Sequence, residues 1–430
     1  MLINDHLQDI ESRLGNGEFM RPDYAKYSFR QIPALVELLL RVHSGDHPFG
    51  KTVLDRVSPN PKNVVTLMID GFGYNQWLKY GEQHPFLNRV LERGNLMPIT
   101  ALFPSTTSAS VTTINSGLTP QEHGLMEWNL YMRELDEIIT TLPFMSMRKD
   151  AQPDELAGRG VDASILFDGT SLHTRLKNNG IASHVVLRDS YAQSAYSKVS
   201  QAGADVISYS SSSDMMVLLR NKLASVQGKA YFYVYWDAVD HMCHVHEPHS
   251  ECYLAELNSF THMLQTEFLD KVDCKTAEET VLLVTADHGH VPMYPDQTIY
   301  LNDIPELEEM LAVSLAGKTI YPYGSPRDVF LQVKEDRLDD ALELLSKQLS
   351  GKATVQKSQE EADKGLFGIG NEHPEFRHRI GNVLILPHEN QTVWYQHSGH
   401  DRSKLRGMHG GMSREEMLTV LGFANLSDLL

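Results

Sequence analysis

The sequence predicts an α/β fold built on a central, mostly parallel sheet. Three runs carry that prediction: "NVVTLMIDGFGY" (63–74), "AYFYVYWDAVD" (230–240) and "TVLLVTADHGH" (280–290). Each is short, rich in apolar residues and ends beside an aspartate. Unbroken apolar runs of this kind mark strands buried on both faces. Helical patterns separate them, and strands alternating with helices argue for a parallel sheet. The expected architecture is a three-layer α/β/α sandwich with a small inserted α+β cap.

Taken along the chain, "FRQIPALVELLLRV" (29–42) has apolar residues at three- and four-residue spacing and reads as a helix. "FPSTTSASVTTINSG" reads as a tight turn and then a helix that starts near Thr106 or Thr107 and stops at Gly117. "TSLHTRLKNNG" is helical up to its Asn-Gly stop, and "IASHVVLRDS" (181–190) is a strand after it. "SYSSSSD" (208–214) leads into the helix "MMVLLRNKL". "SECYLAELNSFTHMLQTEFLD" (250–270) is another helix. From about Tyr300 to His397 the texture changes. "RDVFLQVKE" and "RIGNVLILP" read as strands and "RLDDALELLSKQL" as an amphipathic helix between them. This is a small α+β unit, and the chain then returns to "LRGMHGGMSREEMLTVLGF". The expected division is a core of residues 1–298, a cap of 299–397 and a core segment of 398–430.

The chain has 430 residues and a formal net charge of −18. Such an acidic surface repels polyanions, which argues against stable nucleic-acid binding or docking on anionic membranes. A small anionic substrate stays open, because bound cations reverse a local field. Cys243, Cys252 and Cys274 form no C-x-x-C pair, so neither a disulfide framework nor a cysteine zinc knot is indicated. The start, "MLINDHLQDIESRLGNGEF", lacks the basic and apolar regions of a signal peptide, and no stretch approaches the ~20 apolar residues of a membrane span. A cytoplasmic protein is expected.

Histidine and aspartate gather at strand ends. Asp70 ends the first run and is followed by Gly71 and Gly73. Ligands of open α/β sheets bind beyond the carboxyl ends of the strands, so a carboxylate there is a candidate metal ligand. Asp287 and His288 repeat the arrangement. "WDAVDHMCHVHEPH" offers two overlapping Asp-x-x-x-His pairs, Asp237 with His241 and Asp240 with His244. Residues four apart share a helix face, so either pair can hold one ion. His409 lies in the glycine-rich loop "GMHGGMS". Aspartate and histidine with little cysteine suit zinc, and also manganese. A hydroxyl facing such ions loses its proton more easily and becomes a nucleophile. The threonine at the start of the hydroxyl-rich helix is placed for that role, beside exposed N–H groups that favour anions.

In order, "MIDGFG", "FPSTTSASVTTINSGLTPQEHGL", "YWDAVDHMCH", "ADHGH" and "GMHGG" resemble the alkaline phosphatase superfamily, in its type I phosphodiesterase and nucleotide pyrophosphatase branch. The resemblance spans roughly residues 60–415. It implies an alkaline-phosphatase-like fold and two divalent cations, zinc or alternatively manganese. Asp70, Asp287 and His288 would hold one, and Asp240, His244 and His409 the other, with Thr107 as a ligand between them and Asp237 left beside the site. Counting ten residues back from Gly117 in "SGLTPQEHG" makes Thr107 the implied nucleophile, with Thr106 the fallback. The implied reaction is hydrolysis of a small phosphorylated substrate, such as a nucleotide, through a covalent phospho-threonine. The pyrophosphatases of this branch carry an asparagine near position 128 that contacts phosphate. Here Trp128 stands there, with Asn129 beside it.

Rival readings are a phosphomonoesterase or phosphonate hydrolase with the same site, a phosphomutase, and a metal-binding protein without catalysis. A monoesterase needs an extra cation, for which Arg133, Arg402 and Arg406 are candidates. The position of the insertion, between "ADHGH" and "GMHGG", argues against a phosphomutase. No C-x-P-x-R sequence is present, which excludes a sulfatase.

Overall fold

The computed structural model describes residues 1–3, 5–13, 19–167 and 169–430. Its central sheet has seven strands. In chain order these are β1 (Asn63–Ile69), β2 (Asn95–Thr100), β6 (Ala182–Arg188), β7 (Asp205–Tyr209), β8 (Ala230–Trp236), β9 (Thr280–Thr285) and β18 (Leu418–Asn425). In space they run β2-β18-β9-β1-β8-β6-β7. Only β18 opposes its neighbours, pairing antiparallel with both β2 and β9. Every residue of β1, β8 and β9 is buried, as their unbroken apolar sequences require of strands covered on both faces. Helices cover the sheet in two groups. Thr107–Ser116 packs against Gln31–Leu39 and Leu172–Asn178, whereas Glu251–Met263 packs against Pro85–Arg93 and Ser212–Ser225.

Three adjacent strands position the site. Ile69 of β1 lies level with Trp236 of β8, and Met68 with Thr285 of β9. The residues just past those ends therefore emerge at one edge of the sheet, where the sequence carries Asp70, Asp237 to Asp240, and Asp287.

A second seven-stranded sheet is antiparallel, in the order β14-β15-β13-β12-β3-β4-β5. The strands β12 (Tyr323–Ser325), β13 (Asp328–Leu331), β14 (Ala353–Gln356) and β15 (Val383–Pro387) come from the expected insertion. The other three, β3 (Asn129–Met132), β4 (Glu137–Thr140) and β5 (Met145–Ser146), come from a stretch that the sequence reading left in the core. β3 joins through one residue pair, Gly324 with Asn129. A separate apolar cluster, including Leu307, Val329, Leu331, Leu345 and Ile385, lies under the helix Leu338–Gln348.

Two short ladders mark where the chain leaves the core and comes back. β10 (Val291–Pro292) pairs with β17 (Gly407–Met408), and β11 (Ile299–Tyr300) pairs with β16 (Val393–Trp394). The first ladder sets the residues following Asp287 and His288 beside those preceding His409. Among the described residues, no helix is long and apolar enough to cross a membrane.

Candidate active site

Asp70 follows β1 directly, and its backbone N–H donates to Trp236 O at 2.9 Å. Gly71 then turns the chain at φ +68°. A β-carbon there would lie 2.1 Å from His290 Cε1, so no larger residue fits. The freed space lets the Gly71 N–H donate to Asp287 Oδ1 at 3.0 Å. His288 Nε2 lies 3.5 Å from Asp70 Oδ1 and 3.3 Å from Asp287 Oδ2, and all three side chains are buried.

The second group begins on the helix Ala238–His246 that follows β8. Its helical spacing selects between the two overlapping pairs. His244 Nε2 lies 3.4 Å from Asp240 Oδ2, whereas Asp237 turns away to accept from Arg188 and Tyr191, both at 2.7 Å. His241, His246 and His249 are exposed. His409 comes in on the loop after β17, with Nε2 3.7 Å from Asp240 Oδ1 and its ring stacked on His288 at 3.6 Å.

Four imidazoles share one arrangement. The Nδ1–H of His244 donates to Gly407 O (2.8 Å), that of His288 to Gly289 O (3.1 Å), that of His290 to Gly71 O (3.2 Å) and that of His409 to Ser105 O (2.9 Å). A carbonyl only accepts, so the neutral rings of His244, His288 and His409 leave Nε2 unprotonated. Burial of His290 is outweighed by Cys243 and Asp240, which raise it above the usual range, so its Nε2 donates to Asp240. The backbone thereby fixes tautomer and aim, as it does for metal-binding histidines generally.

The electrostatics of the two groups differ. Burial raises Asp70, and the neighbouring Asp287 and Asp240 raise it further. Burial lifts Asp287 to about 7 and lowers His288 to about 3. Burial would raise Asp240 too, yet His244, His290 and His409 hold it well below the usual carboxylate range. Asp70 Oδ1 and Asp287 Oδ2 are buried without any hydrogen-bond donor. Donor atoms of Asp70, Asp287 and His288 all lie within 4.8 Å of one another, as do those of Asp240, His288, His290 and His409. Orphaned carboxylate oxygens beside imidazole nitrogens turned inward are what divalent cations require, so the residues fit a metal centre.

Thr107 opens the helix Thr107–Ser116, and its Oγ1 lies 3.3 Å from His288 Nε2. Thr106 is the N-cap residue. It is buried and within hydrogen-bonding reach of Glu127, not of the histidines. Three further hydroxyls bond back to the backbone: Thr112 donates to Ser108 O, Ser116 to Thr112 O and Thr113 to Leu118 O, while Ser108 Oγ accepts from Thr141 and Ser110 Oγ is buried without a partner. The backbone bonds let a helix so rich in serine and threonine be buried.

Residues 64–412 match the type I phosphodiesterase / nucleotide pyrophosphatase family. The chain belongs to that family. It is a hydrolase of phosphodiester or pyrophosphate bonds, from a family that uses divalent metal ions. Its fold is similar to murine ectonucleotide pyrophosphatase / phosphodiesterase 5, at 17% identity and a TM-score of 0.62, over 83% of this chain and 87% of that one. The human counterpart gives 17% and 0.61, over 84% and 87%. An inactive form of the murine protein, in complex with AMP, matches at 17% and 0.62 over the same shares of the two chains. No curated protein matches the chain.

Within this phosphodiesterase family member, several polar groups are already engaged. Asn129 donates to Gly324 O and accepts from Thr140 inside the second sheet, while Trp128 is 41% exposed. Arg133 binds His378 and Glu375, and Arg402 lies over the Tyr300 ring at 4.6 Å. The Arg406 backbone bridges His244 O and the Met293 N–H. Sequence reasoning missed two groups at the centre. His290 Nε2 lies 2.8 Å from Asp240 Oδ1, and the Tyr235 hydroxyl donates to Asp70 Oδ2. The signal for His290 was present, since alternate residues of an extended segment share a face and His290 is two past His288.

Proposed function

We propose that the chain cleaves a small phosphodiester or nucleotide-like pyrophosphate by covalent transfer to Thr107 in a two-cation site. The observation that carries this is the placement of Thr107 Oγ1, half-buried at a helix N-terminus and 3.3 Å from the His288 nitrogen where the two donor groups meet. Asp70, Asp287 and His288 would hold one ion, with the Thr107 hydroxyl facing it. Asp240, His244 and His409 would hold the other. The mixed nitrogen and oxygen donors suit zinc, and manganese would also be accepted. Bound there, the ions would lower the proton affinity of the Thr107 hydroxyl and neutralise charge on the phosphoryl oxygens.

The chain's own residues would do the rest. Thr107 Oγ1 gives its proton to solvent and forms a bond to phosphorus while the bond to the leaving oxygen breaks, and the departing group takes a proton from solvent. Water then forms a new bond to phosphorus. The threonine oxygen leaves, recovers a proton, and phosphate product is released. The free N–H groups of the helix's first turn face the phosphoryl oxygens. Arg188 and Tyr191 restrain Asp237 beside the site, and Tyr235 orients Asp70. Arg133, held by His378 and Glu375, is not left to bind the third charged oxygen of a monoester, so that reading falls to Arg402 and Arg406. A nucleotide is a candidate substrate.

The test pairs wild type with Thr107→Ala on bis-p-nitrophenyl phosphate and p-nitrophenyl phosphate, with zinc supplied. Diester preference in wild type, and loss of both activities in the variant, are expected. Full activity in Thr107→Ala would sink the covalent reading. A preference for the monoester would move the chain to phosphomonoesterase chemistry.

A further inference from the structure

Behind the N-terminus of the Thr107–Ser116 helix, a second acidic group lies apart from the donors described above. Glu127 and Asp328 are both fully buried and within hydrogen-bonding reach of each other. Glu127 comes from the loop before β3 and Asp328 opens β13, so both belong to the second sheet, where they meet Thr106 and Gly410 of the core loops. Ser325 Oγ donates to Asp328 Oδ1, the Trp128 N–H donates to Glu127 Oε2, and Thr106 is within reach of Glu127. Glu127 Oε1 and Asp328 Oδ2 have no donor.

These oxygens close over Gly410. A β-carbon on that residue would lie 2.7 Å from Asp328 Oδ1, 2.7 Å from Ser325 Oγ and 3.3 Å from Glu127 Oε1. Glycine at φ +121° keeps that space open. The only arginine on the same hairpin is spent elsewhere. Arg327 Nε and Nη2 bind Glu416 Oε1 and Oε2 at 2.9 and 2.8 Å, and Nη1 donates to Gln391 O. Two buried carboxyls thus stand without a counter-charge, which a protein interior does not sustain.

We propose that Glu127, Asp328, Ser325 and Thr106 form a third cation site, one that takes a hard divalent ion of the magnesium or calcium class. All its donors are oxygens, without imidazole or thiolate, and that chemistry selects hard cations over zinc. The ion joins the turn that precedes Thr107, the loop that carries Glu127 and the hairpin of the second sheet, all packed beside Gly410. Its role is to fix these three segments against one another. The competing occupant is a single proton shared by the two acids, and burial raises Glu127 to about 7 against the hydrogen bonds of Trp128, Asp328 and Thr106.

The test uses the holoenzyme, already loaded with its transition-metal ions and dialysed against magnesium or calcium. Elemental analysis is expected to find about one further equivalent of the hard ion, and the melting temperature to rise as that ion is added. Glu127→Gln and Asp328→Asn should each lose that equivalent and that rise while keeping the transition-metal content. If one variant fails to fold, the other decides. A wild type that gains no equivalent and melts identically in both ions would overturn the proposal in favour of the shared proton. Variants that keep the extra equivalent would overturn it too, by placing the ion elsewhere. None of these readouts depends on phosphodiester hydrolysis.

Discussion

Asp240 sits among His244, His290 and His409, whereas Asp70 and Asp287 face each other with His288 beside both. The first carboxylate is satisfied by the protein alone, and its neighbours hold it ionised. The other two keep orphaned oxygens and are pushed toward the protonated state by burial. One half of the centre is preformed and the other is held under repulsion until a cation arrives. The difference comes from where the residues sit. Asp70 and Asp287 are fixed by the ends of two fully buried strands, while Asp240 rides on a helix at the rim.

The largest effect tests the point where the halves meet. Thr107→Ala should lower kcat on a diester by about a thousandfold or more, with cation content unchanged. Thr106→Ala should stay within about tenfold, because its hydroxyl faces Glu127. Steady-state kinetics with elemental analysis separate the two. Next come the donors themselves. Asp70→Asn and His409→Ala should each lose one of the two cations and about a hundredfold or more in kcat. Loss of both ions from either variant would show that the halves do not act separately.

The comparison is sharper without metal. In chelator-treated protein at pH 8, Asp287→Asn should raise stability by about 1–3 kcal/mol, because it removes a buried charge without a counter-ion. Asp240→Asn should lower it by a similar amount, about 1–3 kcal/mol, by breaking charge-assisted bonds. Denaturant melts read both signs, and equal signs would break the comparison. A last effect, confined to acid pH, belongs to a histidine outside both halves. His173 lies between Ser183 and Asn115, at 2.6 and 2.7 Å, and burial lowers it from 6.5 to about 3. The unfolded chain binds its proton more tightly, so stability falls as pH drops from 6.5 toward 3. His173→Gln should make that fall shallower, as read from urea midpoints across the window.

The central strands were legible because burial on both faces writes an unbroken apolar run into β1, β8 and β9. Asp70, Asp287 and His288 were legible for the same reason, since they stand at the ends of those runs. The strands β3 to β5 were not. They are four, four and two residues long, too short for alternation to show, and they join their sheet through a residue almost two hundred positions away. β18 was overlooked because "LTVLGFAN" follows a glycine-rich loop that drew the reading toward its histidine. Glu127 and Asp328 belong to no local pattern, and only the pairing of β3, β12 and β13 within the second sheet brings them together.

The packing of His290 against Gly71 fixes an order of evolutionary change. A methyl group on residue 71 would overlap the imidazole, and the backbone there disfavours any side chain. His290 can be replaced by something smaller while Gly71 stays. The reverse step has no viable intermediate. Descendants of this sequence can shed the fourth imidazole in a single substitution, and none can gain bulk at position 71 until they have.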